Sequence, residues 1–569
     1  MFVRKELLMK KQSPIRLLTI LLSISLLTAL VGCSSHSGSE DLGGNKDTES
    51  YIKRTYPEEI SHDDAPLGER SRDSFNLASY ESAYNEFSSL LETEGNTNRL
   101  LELFEIIDDL VLDCKTDASL ALYDRDMDIT NKEYAESYTS KQNMYSQIDG
   151  RSVRLFQTVF STDYEDAFRA YIGEELAEQW EHANAESEEE RTLKATIREL
   201  KKKYDLLTVQ GAEPAAFKEL YIETVNANNA YARLRGYDNY VEYAYSKTKG
   251  RDYTIADVRG IEEELLRNFV PIFHRYVAKI VKDVAYDAYE ENHDSGEIKF
   301  SKMRDCVKNI SPKFEESLDH LIRNQLYAVD ASDTKGPSDY TVSLPAYNDA
   351  FIFIQPLGKV SDYKTVLHEF GHYSAQYYRP ASAFEPNLVT DVEEIMSQGL
   401  QLLCYDYYGA YYEEYGDALA ESTIFQIMQA VPKGFAVNEA EYLSYTTEDL
   451  TPEKLDAIWS ECNDKFHKPI GQSDDAWLGI PHVFQNPFYY IGYATSALTA
   501  FELFVESRED FEGSVDKYMK ITELPAGTTY LEALEQVGLS DIFEPGTVKE
   551  LSKEVAILFE LTKREFALK

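Results

Sequence analysis

Apolar positions recur three and four residues apart along most of the chain, the spacing that lines one face of an α-helix. From about Ser74 to Leu207 the stripe is carried by residues such as Leu100, Leu103, Phe104, Ile107 and Val111, with few Gly or Pro breaks, and it resumes from Glu213 to about Leu326. Two short stretches depart from this period, Tyr340 to Leu344 and Ala350 to Gln355. The second contains Phe351-Ile352-Phe353-Ile354 and is closed by Pro356 and Gly358, which predicts a strand. Ser361 and Asp362 then mark the start of another helix, since both are favoured N-cap residues. A helix follows over Asp391 to Gln401, with Asp391, Glu394, Gln398 and Gln401 in a polar stripe and Val392, Ile395, Gly399 and Leu402 in an apolar one. The pattern predicts a mainly α protein with a small sheet. At 569 residues the chain exceeds what one core needs, so two or more packed subdomains are expected.

The first 32 residues follow a different rule. Arg4, Lys5, Lys10, Lys11 and Arg16 precede an uncharged, mostly apolar run of 15 residues, Leu17 to Val31. A membrane-spanning helix needs about 20, so the run reads as the core of an export signal. It ends Leu30-Val31-Gly32-Cys33, which resembles the lipobox of bacterial lipoproteins and predicts lipidation at Cys33, with residues 1–32 removed. The protein is then expected outside the bacterial cell membrane, held there only by its N-terminal lipid. Residues 33–72, rich in Ser, Gly and acidic residues, read as a flexible tether, and 73–207 as an N-terminal helical domain.

Composition narrows the partners. One hundred acidic residues against 57 basic ones leave a net charge of −43, which repels nucleic acid and favours cationic ligands. Beyond Cys33 the chain has Cys114, Cys306, Cys404 and Cys462, scattered without a close pair, so they read as buried free thiols rather than a disulfide framework or a cysteine-rich zinc site. Oligomeric state is not legible.

The densest chemistry lies in Val366-Leu367-His368-Glu369-Phe370-Gly371-His372. On a helix, His368 and His372 stand one turn apart and present two imidazoles to one point, suitable for Zn²⁺, while Glu369 is placed to act as general base toward a water at that point. A catalytic zinc needs a third protein ligand. The extended motif that would supply a third histidine fails, because Ala375 and Tyr378 occupy its positions. The polar stripe downstream offers a carboxylate instead. Glu394 is central in it, Glu393 is the rival, and Asp391 or Gln398 would steady the site from behind. The strand Phe351 to Ile354 just upstream offers a backbone edge against which an extended peptide can pair.

With these residues in view, the chain resembles the thimet oligopeptidase and oligoendopeptidase F family of zinc metallopeptidases, and the oligoendopeptidase F branch within it. Three stretches carry the resemblance: His368 to His372 with Glu394-Ile395-Met396-Ser397-Gln398; Arg235-Gly236-Tyr237-Asp238-Asn239-Tyr240 to Tyr245; and Ile480-Pro481-His482 through Phe488-Tyr489-Tyr490-Ile491-Gly492-Tyr493-Ala494-Thr495. It implies one Zn²⁺ per chain held by His368, His372 and Glu394, Glu369 as base, and His482, Tyr490 and Tyr493 as groups contacting substrate. Tyr490 and Tyr493 are three apart on an expected helix, so both phenols can face the metal and donate to an oxyanion. The resemblance further implies a catalytic domain over 208–569 and two helical subdomains around a deep channel, zincin-like in fold, that admits short unfolded peptides. Met396 replaces a proline of some members, and Asn486 stands where the thimet branch carries a further tyrosine. An inactive peptide-binding lipoprotein and a zinc carboxypeptidase on a similar fold are the alternatives.

Overall fold

The structure is a computed structural model that describes residue 54 and residues 60–181, 187–280, 290–336, 338–384, 389–412, 415–525 and 527–561. The export signal, Cys33 and most of the expected tether lie outside the described residues. Helices dominate, as the 3.6-residue period requires. The helices α1 (Leu77–Leu90), α2 (Thr97–Met127) and α3 (Lys132–Gln157) open the described chain. Tyr80, Phe87, Phe104, Phe156 and Trp180 form an aromatic core there, joined by the distant Phe384. The next long helix, α4 (Glu188–Gln210), begins at Ser187, which caps Glu190 N and receives Glu190 in return. It sides with the larger core, since the Tyr204 ring stacks on Phe484 at 4.4 Å. The domain boundary expected at 207 thus falls inside one helix, and the N-terminal aromatic core is built from residues before it together with Phe384.

The last part of the stretch expected as a tether is packed rather than loose. Leu67 is buried, and the Arg70 guanidinium donates to Asp349 Oδ2 at 2.7 Å with both side chains fully buried. Low hydrophobicity hid this, because the anchor is an ion pair formed 279 positions away.

One sheet is present among the described residues: β1 (Tyr327–Ala328), β2 (Tyr340–Leu344) and β3 (Asp349–Phe353), in the order β1-β3-β2. Both strand predictions hold to within two residues. β3 is parallel to β1 and antiparallel to β2, with Thr341 opposite Ile352 and Val342 opposite Phe351. All five β3 residues are buried. Because β3 is central, its backbone is already paired on both sides, so the edge expected at Phe351 to Ile354 is not free. The edge strand nearest the histidines is β2.

Four helices complete the frame of the site. α5 (Asp362–Tyr377) carries the histidines, α6 (Thr390–Leu403) carries Glu394, and α7 (Gly416–Thr446) and α8 (Tyr490–Ser507) pack around them. Cys114, Cys306, Cys404 and Cys462 are buried free thiols. No helix among the described residues is long and apolar enough to cross a membrane.

Candidate metal centre

The helix α5 starts where Ser361 and Asp362 indicated, but by a different cap. Ser361 makes no side-chain cap bond; the Asp362 carboxylate instead accepts the backbone N–H groups of Leu357, Gly358 and Lys359 at 3.0, 3.0 and 3.1 Å. The turn between β3 and α5 is thereby tied to the helix that follows. Nearly two turns further in, the His368 and His372 rings stand 5.0 Å apart.

Close approach of α6 brings the third group. Gly371 faces Met396 and Ser397, and a methyl group there would meet Ser397 Cα at 2.8 Å and Met396 O at 2.9 Å. Only glycine lets the two backbones lie this near. As a result Glu394 Oε2 sits 3.5 Å from His368 Nε2 and 3.8 Å from His372 Nε2. Two ligands on a tetrahedral zinc with bonds of 2.0–2.1 Å lie roughly 3.3 Å apart, so the three atoms are spaced for one small cation. Glu393, the rival, is absent from the convergent set His368, His372 and Glu394 and interacts with Arg379.

The surroundings orient each member. The Gln401 amide oxygen lies 3.2 Å from His368 Nδ1, and its nitrogen donates to Lys364 O at 3.2 Å. With that amide fixed, Nδ1 of His368 carries the proton and Nε2 is left with a lone pair for a metal. Burial and the neighbouring His368 hold His372 well below its ordinary value, in the neutral form that ligates. Tyr489 Oη donates to Glu394 Oε1 at 2.8 Å, and Ser397 Oγ lies 3.1 Å from Oε2. Burial pushes the Glu394 carboxyl up to about 7 against these bonds. Glu369 is likewise pushed up to about 7 by burial, while His368 and the Thr341 hydroxyl, 2.8 Å from Oε2, oppose the shift. His368, His372 and Glu394 form a donor set of two imidazoles and one carboxylate, with the buried Glu369 alongside, and Zn²⁺ fits it.

His482 stands on the short helix Pro481–Gln485, with its ring 4.7 Å from that of Tyr489, 5.4 Å from Tyr490 and 5.9 Å from Tyr493. Burial, with Lys249 and Lys433 nearby, lowers it to about 4, so the imidazole is neutral near pH 7, and its buried Nδ1 has no hydrogen-bond partner among the described residues. Tyr493 feels both carboxylates: burial, Glu394, Tyr490 and Glu369 all raise its phenol. The expected phenols and imidazole therefore gather beside the Glu394 and Glu369 carboxylates.

Asp391 and Gln398 take other roles than the expected one. Asp391 pairs with Arg251 Nε at 3.1 Å, accepts from Thr495 Oγ1 at 2.9 Å and from Tyr253 Oη, and so fastens α6 to α8. Gln398 donates to Tyr493 O at 3.3 Å, another link between these helices. The groups that touch His368, Glu394 and Glu369, namely Gln401, Ser397, Tyr489 and Thr341, are not assigned by the sequence. Gln401 lay in the polar stripe, one turn beyond the residues chosen. Tyr489 precedes α8, and its direction follows from Phe488, which adopts φ 62°.

A second cluster, His62, His320 and Asp349, also converges. Arg70 already neutralises Asp349 at 2.7 Å, so this set is a buried ion network rather than a cation site.

The fold, mainly helical with a small three-stranded sheet, matches those of oligoendopeptidases and M32 carboxypeptidases. Among solved structures it is similar to a candidate oligoendopeptidase F (TM-score 0.75, 18% identity, covering 88% of this chain and 99% of the other) and to PZ peptidase A bound to an inhibitor (0.74, 17%, 87% and 99%). An M32 carboxypeptidase from Deinococcus radiodurans R1 matches at 0.58 with 12% identity over 84% and 100%. No family model and no curated protein matches the sequence.

Proposed function

We propose that the protein is a zinc-dependent oligoendopeptidase that hydrolyses internal bonds of short unfolded peptides. The observation that carries this reading is the convergence of His368, His372 and Glu394 with the buried Glu369 alongside. His368, His372 and Glu394 would hold the zinc, which when bound would supply a Lewis acid to polarise the peptide carbonyl and acidify a water. Glu369 takes a proton from the attacking water and passes it to the departing amine, a role suited to a carboxyl whose proton affinity burial has raised. Thr341 fixes the carboxylate's orientation and links it to β2, the edge strand against which an extended peptide can lie. Tyr490, Tyr493 and the neutral His482 donate hydrogen bonds to the oxyanion that develops on the attacked carbonyl.

A quenched fluorescent peptide tests the reading. Hydrolysis should stop with chelator and return with zinc, and Glu369→Gln should lose turnover while keeping its metal; full activity in that variant would refute the role of Glu369. The likeness to M32 carboxypeptidases favours a second reading, release of single C-terminal residues, which product analysis separates from internal cleavage.

Export and lipidation at Cys33 belong to the same proposal. Their support is the basic, then apolar, then Gly32-Cys33 pattern. Fatty-acid labelling of the expressed protein, lost in Cys33→Ala, checks it, and an unlabelled wild-type chain would overturn it.

A further inference from the structure

Two lysines bracket the His482 and tyrosine group, in a protein whose net charge is −43. Lys249 Nζ lies 5.0 Å from the centre of the Tyr489 ring and donates to Asn486 Oδ1. Lys433 Nζ lies 5.1 Å from the centre of the Tyr490 ring. Lys433 is brought there by Gly434, where α7 approaches α8 so closely that an added methyl group would meet Tyr490 O at 2.7 Å. Lys249 is only 6% exposed. Neither lysine forms an ion pair among the described residues, although acidic residues outnumber basic ones 100 to 57 in this chain.

A buried ammonium outside a direct ion pair is costly, and both lysines register the cost: burial lowers Lys433, and burial with Arg251 lowers Lys249 to about 7 even though the Glu441 and Asp391 carboxylates oppose the shift from a distance. The positive tract continues outward. Lys194, Arg198 and Lys201, on one face of α4, line a cavity of about 260 Å³ that Thr248, the neighbour of Lys249, also lines. No acidic residue lines that cavity among the described residues. Lys201 is close enough to Lys249 to contribute to its lowered proton affinity.

We propose that Lys249 and Lys433 receive a carboxylate of the peptide substrate, close to the scissile bond on the side that lies against His482, so that the site selects acidic peptides. This rests on the peptidase reading above and names its substrate class. The carboxylate is either an acidic side chain or the peptide's own C-terminus, and the chemistry at the lysines is the same for both. The acidic exterior sets the opposite preference for long-range encounter, so selectivity for acid arises at the lysines and not at the surface.

Matched peptides test it, each with Glu, Gln or Lys at one position, walked through three residues on either side of the cleaved bond, and each with a free or amidated C-terminus. Wild-type protein should cleave the Glu peptide about ten- to hundredfold better than the Gln peptide at one position, the range set by a hydrogen bond to a charged group. In the Lys249→Met/Lys433→Met variant that preference should collapse while the Gln peptide is still hydrolysed. A preference that follows only the free C-terminus identifies the terminal carboxylate as the group received. Fluorescein-labelled copies titrated into zinc-loaded Glu369→Gln protein read the same preference as affinity, without turnover. If no peptide is cleaved, the peptidase reading fails, and the affinity ratios still decide the proposal. Equal binding of Glu, Gln and Lys peptides at every position, or a preference unchanged in the double variant, overturns it.

Discussion

Tyr489→Phe separates holding the metal from acting on the substrate. In the wild type the phenol donates to Glu394 Oε1 at 2.8 Å and is the sole partner of that oxygen among the described residues, while Oε2 faces both histidines. The substitution removes one hydroxyl and keeps the ring beside His482 and under Lys249. A hydrogen bond to a buried charged group contributes about 1.5–3 kcal/mol, which corresponds to roughly ten- to hundredfold in an equilibrium constant. That loss falls on the ionised Glu394, the form zinc requires, so zinc affinity should drop by about ten- to hundredfold, the range common for such outer partners. Competition against a chromophoric chelator measures it at pH 7. Because proton competition for Glu394 contributes, the deficit should shrink at pH 8.5. Tyr490→Phe is the control, since Tyr490 makes no hydrogen bond to Glu394 among the described residues: it should bind zinc normally and lose kcat. Normal zinc affinity in Tyr489→Phe, or an equal loss in Tyr490→Phe, would refute the reasoning.

Other outcomes follow from the same contacts. Gly371→Ala places a methyl group against the Met396 and Ser397 backbone, so it should destabilise the protein by about 1–3 kcal/mol in urea unfolding and weaken zinc binding as Glu394 shifts; a neutral result would show that the helices are not locked at this crossing. Glu441 accepts Phe488 N–H with both oxygens at 3.1 Å, and burial pushes its carboxyl up to about 8 against Lys249 and Arg251. The folded state therefore holds a proton that the unfolded chain, with a carboxyl near 4.5, releases, so this contribution is full below about pH 4.5 and is lost as pH rises through 8. Urea midpoints should fall over that window in the wild type and less steeply in Glu441→Gln; parallel curves would contradict it.

Periodic features were legible in the sequence and contacts between distant segments were not. His368, Glu369 and His372 follow from one helical turn, and Glu394 from its place in a polar stripe, because both statements concern residues within a few positions of each other. The strands at 340–344 and 349–353 were marked by composition and by Pro356 and Gly358, yet their order was not, and so the free edge was assigned to the wrong strand. Asp391 looked like a support for the metal ligands. Its partner Arg251 lies 140 positions away, and nothing in the local pattern announces it. Tyr489 escaped for another reason. The family resemblance selected Tyr490 and Tyr493 and the helix period placed both on one face, whereas Tyr489 is aimed by a left-handed residue clamped between the Glu441 carboxylate and the Arg251 guanidinium, which donates to Phe488 O at 2.9 Å. The Asn486-Pro487 pair, a turn signal, was the one clue that helical phase would not apply there.

Mass spectrometry of the products formed from a mixed peptide library by the zinc-loaded protein, beside a metal-stripped sample, tests the central claim most directly. The site described here predicts cleavage at internal bonds of short peptides, abolished by stripping and restored by zinc. Release of single C-terminal residues alone, or cleavage that persists without metal, would contradict it.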